Sequence, residues 1–235
     1  MTTKEIADMA KRRSTHNSVA AWETAKKAVK EHLDDLRALE THGELYAWAK
    51  EHELAVPGLF PKFKTELSKQ LGIDYDALRE QAYAQRREQI AAAAADGPVL
   101  EMWTAADDEV SSFAICGPEG AVVTYNTFHP EDKIYRNGDQ VSADRSVAQH
   151  AVFVAGQARE ELDVEAVRLI LHVLNHEVGA DDPALERTAL RGRVHVSFEI
   201  DQDNPAAEWC RENGYKSWRE TNLTTLVVDD ERIAG

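Results

Sequence analysis

The sequence predicts a helical first part joined to a mixed α/β second part, on three observations. Apolar residues recur at helical spacing up to about residue 95. Asp96-Gly97-Pro98 then stops that pattern, because neither Gly nor Pro continues a helix well. Beyond it, short β-branched and aromatic runs alternate with helical stretches, the mark of a sheet interleaved with helices. Charge divides the chain at the same place: residues 1–96 carry 15 Lys/Arg against 16 Asp/Glu, and residues 97–235 carry 12 against 26. The expected domains are therefore 1–96, helical and near neutral, and 97–235, α/β and acidic.

Charged residues make up 29% of the 235-residue chain and the apolar set 43%, ordinary values for a globular protein. No apolar run approaches the roughly 18 residues of a membrane span. The opening Met-Thr-Thr-Lys-Glu-Ile is polar and unlike a signal peptide. A cytoplasmic protein with no membrane contact is expected. Cys116 and Cys210 stand far apart without metal-like spacing, and read as buried small apolar residues.

In the first part, Thr2 and Glu5 have capping-box spacing, with Ile6, Met9 and Ala10 on the inner face. Val19, Trp22, Ala25, Val29, Leu33 and Leu36 predict a helix from about Ser18, broken at His42-Gly43. Leu45 and Trp48 mark a third helix that ends before Val56-Pro57-Gly58. Phe63 to Arg79 then reads as helix, turn, helix: Gly72 supplies a left-handed stop and Asp74 an N-cap. Leu67, Leu71, Ile73 and Leu78 fall where the two helices would pack, with Ser68 at the crossing.

This stretch resembles the helix-turn-helix pattern of DNA-binding proteins. The resemblance implies that the second helix presents Tyr75, Asp76, Arg79, Tyr83 and Arg86 outward, with Lys62, Lys64 and Arg87 on phosphates. A plain helical hairpin needs the same glycine and the same apolar positions. Both readings stand on the sequence, and Asp76 and Glu80 sit awkwardly in a recognition helix.

In the second part, Val99–Thr104, Ser111–Cys116 and Ala121–Phe128 predict three strands, the last two joined by the tight turn Gly117-Pro118-Glu119-Gly120. A helix follows from about Asp144 to Leu162. Val167–Leu174 fits a buried strand or a helix, and its central β-branched residues favour strand. Asp182–Leu190 reads as helix, Arg193–Ile200 as an alternating strand, Asn204–Asn213 as helix, and Thr224–Val228 as an edge strand. The order is β-β-β-α-β-α-β-α.

That order resembles the ribonuclease H fold, a three-stranded meander followed by alternating helices and strands. The resemblance covers about residues 99–215. It rests on Val99–Thr104, on Ser112–Gly117 with Gly120, and on Asn204-Pro205-Ala206-Ala207-Glu208 as the closing element. It implies carboxylates converging on Mg²⁺ or Mn²⁺, which activates water for phosphodiester hydrolysis. The positions that answer to that chemistry are Asp107, Asp144 and Glu208 as catalytic residues, with Asp107 and Glu208 as metal ligands. The match is imperfect. Ala105 stands where the first aspartate is expected and Asp107 and Asp108 come late; the first helix offers Asp144 or Gln149 for a glutamate. The fourth strand supplies His172 and Asn175 in place of an aspartate.

Two further patterns compete. His172 and His176 have the four-residue spacing of a two-histidine metal site, with His150 as a third donor, but partly exposed structural histidines are the default reading. Asp203–Tyr215 also resembles the end of the acetyltransferase fold, but Val141–Ser146 lacks the glycines of its pyrophosphate loop. The functional expectation is a nucleic-acid-binding or processing protein, acting on an RNA–DNA hybrid or duplex DNA, with a ribonuclease H-like domain that is either a metal-dependent phosphodiester hydrolase or catalytically degenerate. The alternative is a non-catalytic interaction protein whose acidic domain binds a basic protein partner or mimics nucleic acid.

Overall fold

The computed structural model describes residues 18–179 and 181–228, so the helix start expected at Thr2 lies outside the described residues. The chain divides into two compact units, Met1–Gln85 and Arg86–Gly235. This division falls inside a helix rather than at Asp96-Gly97-Pro98.

The first unit contains a helix over residues 18–31 (α1), α2 (Leu33–Arg37), α3 (His42–Glu51), α4 (Phe60–Leu71) and the opening turns of α5 (Tyr75–Ala94). Its core joins Ala25, Val29, Leu36, Leu45, Phe63, Leu67 and Tyr75. His42-Gly43 does not break a helix, as the sequence suggested, but opens α3. Thr41 Oγ1 accepts from Glu44 N at 3.2 Å, and Glu44 Oε2 accepts from Thr41 N at 3.0 Å. This reciprocal cap satisfies donors that the first turn would otherwise leave orphaned, and so offsets the cost of Gly43. The next turn is as expected: Gly72 ends α4 at φ 70°, and Asp74 Oδ1 accepts from Ala77 N at 3.0 Å.

In the second unit, Ile90 and Ala94 of α5 pack with Ala166 and Leu190. Packing, rather than the helix stop, therefore assigns the last turns of α5 to this unit. There follow β1 (Val99–Asp107), β2 (Ser112–Cys116), β3 (Val122–Thr127), α6 (Gln140–Glu161), β4 (Val167–Val173), α7 (Pro183–Gly192), β5 (Val194–Ile200), α8 (Ala206–Trp209) and β6 (Val227–Val228). The ambiguous segment is a strand, buried along nearly its whole length. Two elements are shorter than the sequence implied: α8 is a single turn, and the last strand has two residues.

These strands form one mixed sheet in the order β3-β2-β1-β4-β5, in α+β arrangement with the helices. β1 runs antiparallel to β2, from Trp103↔Cys116 to Asp107↔Ser112, and parallel to β4, from Val99↔Arg168 to Trp103↔His172. β4 is parallel to β5, and β6 pairs antiparallel with the start of β1. Alternation along the strands sends Leu100, Met102, Ala106, Leu169 and Leu171 to the face covered by α6. Ala105, Ala114 and Cys116 go to the opposite face, where Ala206 and Cys210 cover them. α6 and α7 cross closely because a Cβ on Gly156 would lie 3.0 Å from Gly192 Cα. Among the described residues, no helix is long and apolar enough to cross a membrane.

Candidate functional site

The acidic unit's nominated residues sit at the end of β1 (Asp107), in the first turns of α6 (Asp144) and on α8 (Glu208), and among the described residues they do not form one metal-holding group. Asp107 closes β1 on the face that α8 covers. Its Oδ1 accepts from Glu109 N at 2.9 Å and Val110 N at 3.3 Å, turning the chain out of the strand. Its Oδ2 accepts from Arg211 Nε at 2.5 Å. Burial alone would raise this carboxyl's pKa; the Arg211 guanidinium and the two backbone N–H groups outweigh it and hold the pKa below the ordinary value.

Asp144 sits in the first turns of α6, buried, on the other side of the sheet. Its Oδ1 accepts from Gln140 Nε2 at 2.8 Å and its Oδ2 from Asn175 Nδ2 at 3.2 Å. Gln140 also donates to Ala106 O at 2.9 Å and accepts from Asp108 N at 3.2 Å, so this amide ties α6 to the end of β1. Burial raises the Asp144 pKa, the two amides oppose that, and the Asp108 charge adds to it. Asn175, which follows β4 and is one of the two residues standing in place of the fourth strand's aspartate, is thus a partner of Asp144.

Glu208 lies on α8 and is exposed. Gln149, the other residue considered on α6, donates to Thr188 Oγ1 at 3.0 Å and ties α6 to α7. Asn204 does structural work beside Glu208: its Nδ2 donates to Thr104 O at 3.0 Å, and its Oδ1 accepts from Ala206 N at 2.9 Å. Among the described residues, no three His, Cys, Asp or Glu side chains are placed to hold a metal ion.

The donor set does not fit the divalent ion that the ribonuclease H resemblance implies. One oxygen of Asp107 is taken by a guanidinium and the other by two backbone N–H groups. Asp144 accepts one amide donor on each oxygen. A metal needs ionised carboxylates with open lone pairs converging on one point. Arg211 was invisible as a site residue from the sequence, because only the fold brings a residue just after α8 onto the end of β1.

His172 and His176 do not share a helix. His172 lies in β4, stacked on Trp103 with ring centroids 4.3 Å apart, and His176 follows the strand. His172 Nε2 is 3.0 Å from Glu101 Oε1, and its Nδ1 lies 3.8 Å from Glu199 and 3.9 Å from Asp201. Trp103 Nε1 donates to Asp201 at 2.8 Å. This row of partners fixes a buried histidine on the sheet. His150 is elsewhere, against Phe113 in a groove of about 690 Å³ along α6, where burial lowers its pKa. None of the nominated catalytic residues lines that groove.

In the helical unit, the face proposed for nucleic acid is rearranged. Tyr75 is buried at 7% exposure in the core and does not point outward. Lys64 Nζ binds Asp76 at 2.6 Å, which neutralises both. The Arg79 guanidinium lies 5.1 Å from the Tyr83 ring. Arg86 and Arg87 belong to the second unit, where Arg87 pairs with Glu186. Lys62 instead meets α1: its Nζ lies 5.9 Å from the Trp22 ring, and Lys69 Nζ lies 5.1 Å from the same ring. Lys26 and Lys30 are exposed one and two turns along α1 from Trp22. This Lys–Trp–Lys face was missed because its members come from two helices far apart in sequence.

Comparison with family models, with curated proteins and with solved structures returns no match.

Proposed function

We propose that this chain is a nucleic-acid-binding protein whose second unit is a ribonuclease H-like domain that has lost its hydrolytic site. The observation that carries the reading is the element order of that unit, a meander β1–β3 followed by α6-β4-α7-β5-α8. Two features of the side chains agree with it. Of the carboxylates nominated for catalysis, Asp107 is engaged with Arg211 and Asp144 with Gln140 and Asn175. The helical unit offers lysines around an indole, a combination that suits phosphates and an unstacked base.

The test is titration of the full chain against duplex DNA, an RNA–DNA hybrid and single-stranded oligonucleotide at a series of salt concentrations. Binding with log affinity falling linearly in log salt is expected. Absence of binding to all three at low salt would sink the reading.

A second reading is favoured by one observation, the 26 acidic against 12 basic residues after residue 96. It holds that the acidic unit binds a basic protein. It predicts salt-sensitive binding of a lysine-rich peptide and none of nucleic acid.

A further inference from the structure

The geometry points to Arg211 as a resident cation: its guanidinium, docked on Asp107, takes the place that a divalent metal would need, and so keeps this site metal-free. The inference rests on the ribonuclease H-like reading of the second unit. Arg211 Nε donates to Asp107 Oδ2 at 2.5 Å, a charge-assisted hydrogen bond. The acceptor is itself fixed, because Glu109 N and Val110 N hold the other oxygen of Asp107. Three donors thus occupy three of the carboxylate's about four lone-pair sites, and an ion would have to share Oδ2 with the guanidinium.

Position makes the arrangement specific. Arg211 directly follows Cys210, whose carbonyl accepts from Ser112 Oγ. Ala206 and Cys210 pack on Ala105, Ala114 and Cys116. The backbone that carries Arg211 is thereby pinned to β1 and β2 while 69% of its side chain remains exposed. The guanidinium stays charged at all ordinary pH, and it supplies one positive charge beside Asp107, Asp108 and Glu109. Asp144 is answered differently, by two neutral amide donors. A metal at Asp107 would therefore have to compete with the guanidinium for Oδ2.

The test is Mn²⁺ titration of the full-length protein by calorimetry and by the Mn²⁺ paramagnetic resonance signal. The wild type is compared with Arg211→Gln and with Arg211→Gln combined with Asn175→Asp. The wild type is expected to show no saturable site. The double variant is expected to bind at least about tenfold more tightly, the size of effect that changing a ligand's immediate partner carries. Arg211→Lys, which keeps a cation, should behave as wild type.

Saturable wild-type binding that disappears in Asp107→Asn would overturn the inference. So would failure of both Arg211→Gln variants to gain binding while circular dichroism shows them folded. Should those variants not fold, the wild-type and Arg211→Lys titrations still decide. Loss of nucleic-acid binding leaves these outcomes unchanged, so the two proposals fail separately.

Discussion

Asp107 and Asp144 carry the same carboxyl group into two different environments, and their titrations run in opposite directions. Asp107 is depressed because its charged form gains Arg211 and two N–H donors. Its contribution to stability is present above the unfolded value, about 3.9, and is lost as pH falls through the lower folded value. Asp144 is raised by burial, so its effect has the reverse sign: it is full at low pH and is lost as pH rises through the folded value. Wild-type stability mixes the two, but the difference between wild type and Asp107→Asn isolates the first. Urea denaturation should show Asp107→Asn less stable at neutral pH, with the deficit closing as acid protonates Asp107. A deficit independent of pH would reject the ion pair.

The two thiols give a second check at this scale. Burial pushes Cys116 up to about 12, and burial followed by the Asp107 charge raises Cys210. Neither should react with a thiol reagent in native protein at pH 8, and both should react in guanidinium. The sequence had already marked both as buried, from residue type alone. It could not mark Arg211, because a charge pattern carries no partner until the fold supplies one. Tyr75 was misplaced for a related reason. Helical spacing locates a face but does not say whether a neighbouring helix covers it.

Among the elements, the strands and longer helices of the second unit were legible because each has a clear period. β5 alternates, and β4 is a short apolar run with β-branched residues. Boundaries were read less well wherever a cap decided them. Asp139 Oδ1 accepts from Ser142 N at 3.2 Å and starts α6 one turn before Asp144, and Thr41 with Glu44 starts α3 across a glycine. The close crossing of α6 and α7 at Gly156 and Gly192 makes a sharp prediction. Alanine would ordinarily favour a helix over glycine by about 1 kcal/mol, but any Cβ here meets the opposing backbone. Gly156→Val should cost about 1–3 kcal/mol of stability through overpacking, read by urea denaturation. An unchanged midpoint would mean that the helices do not cross this closely.

For the whole molecule, the charge asymmetry and the proposed loss of a hydrolytic site belong to one account. A domain with 26 acidic and 12 basic residues repels a polyanion. Affinity for nucleic acid then has to come from the helical unit, where Lys62 and Lys69 flank Trp22. Reversing both lysines to glutamate should weaken binding and flatten its salt dependence by about two counterions. Changing Arg79 alone should alter it less.

The most direct measurement uses the full-length chain and a labelled RNA–DNA hybrid, comparing EDTA with Mn²⁺ in one titration series. The account predicts salt-dependent binding of equal strength in both, with the hybrid left intact. Cleavage that requires Mn²⁺ and vanishes in Asp107→Asn would contradict it.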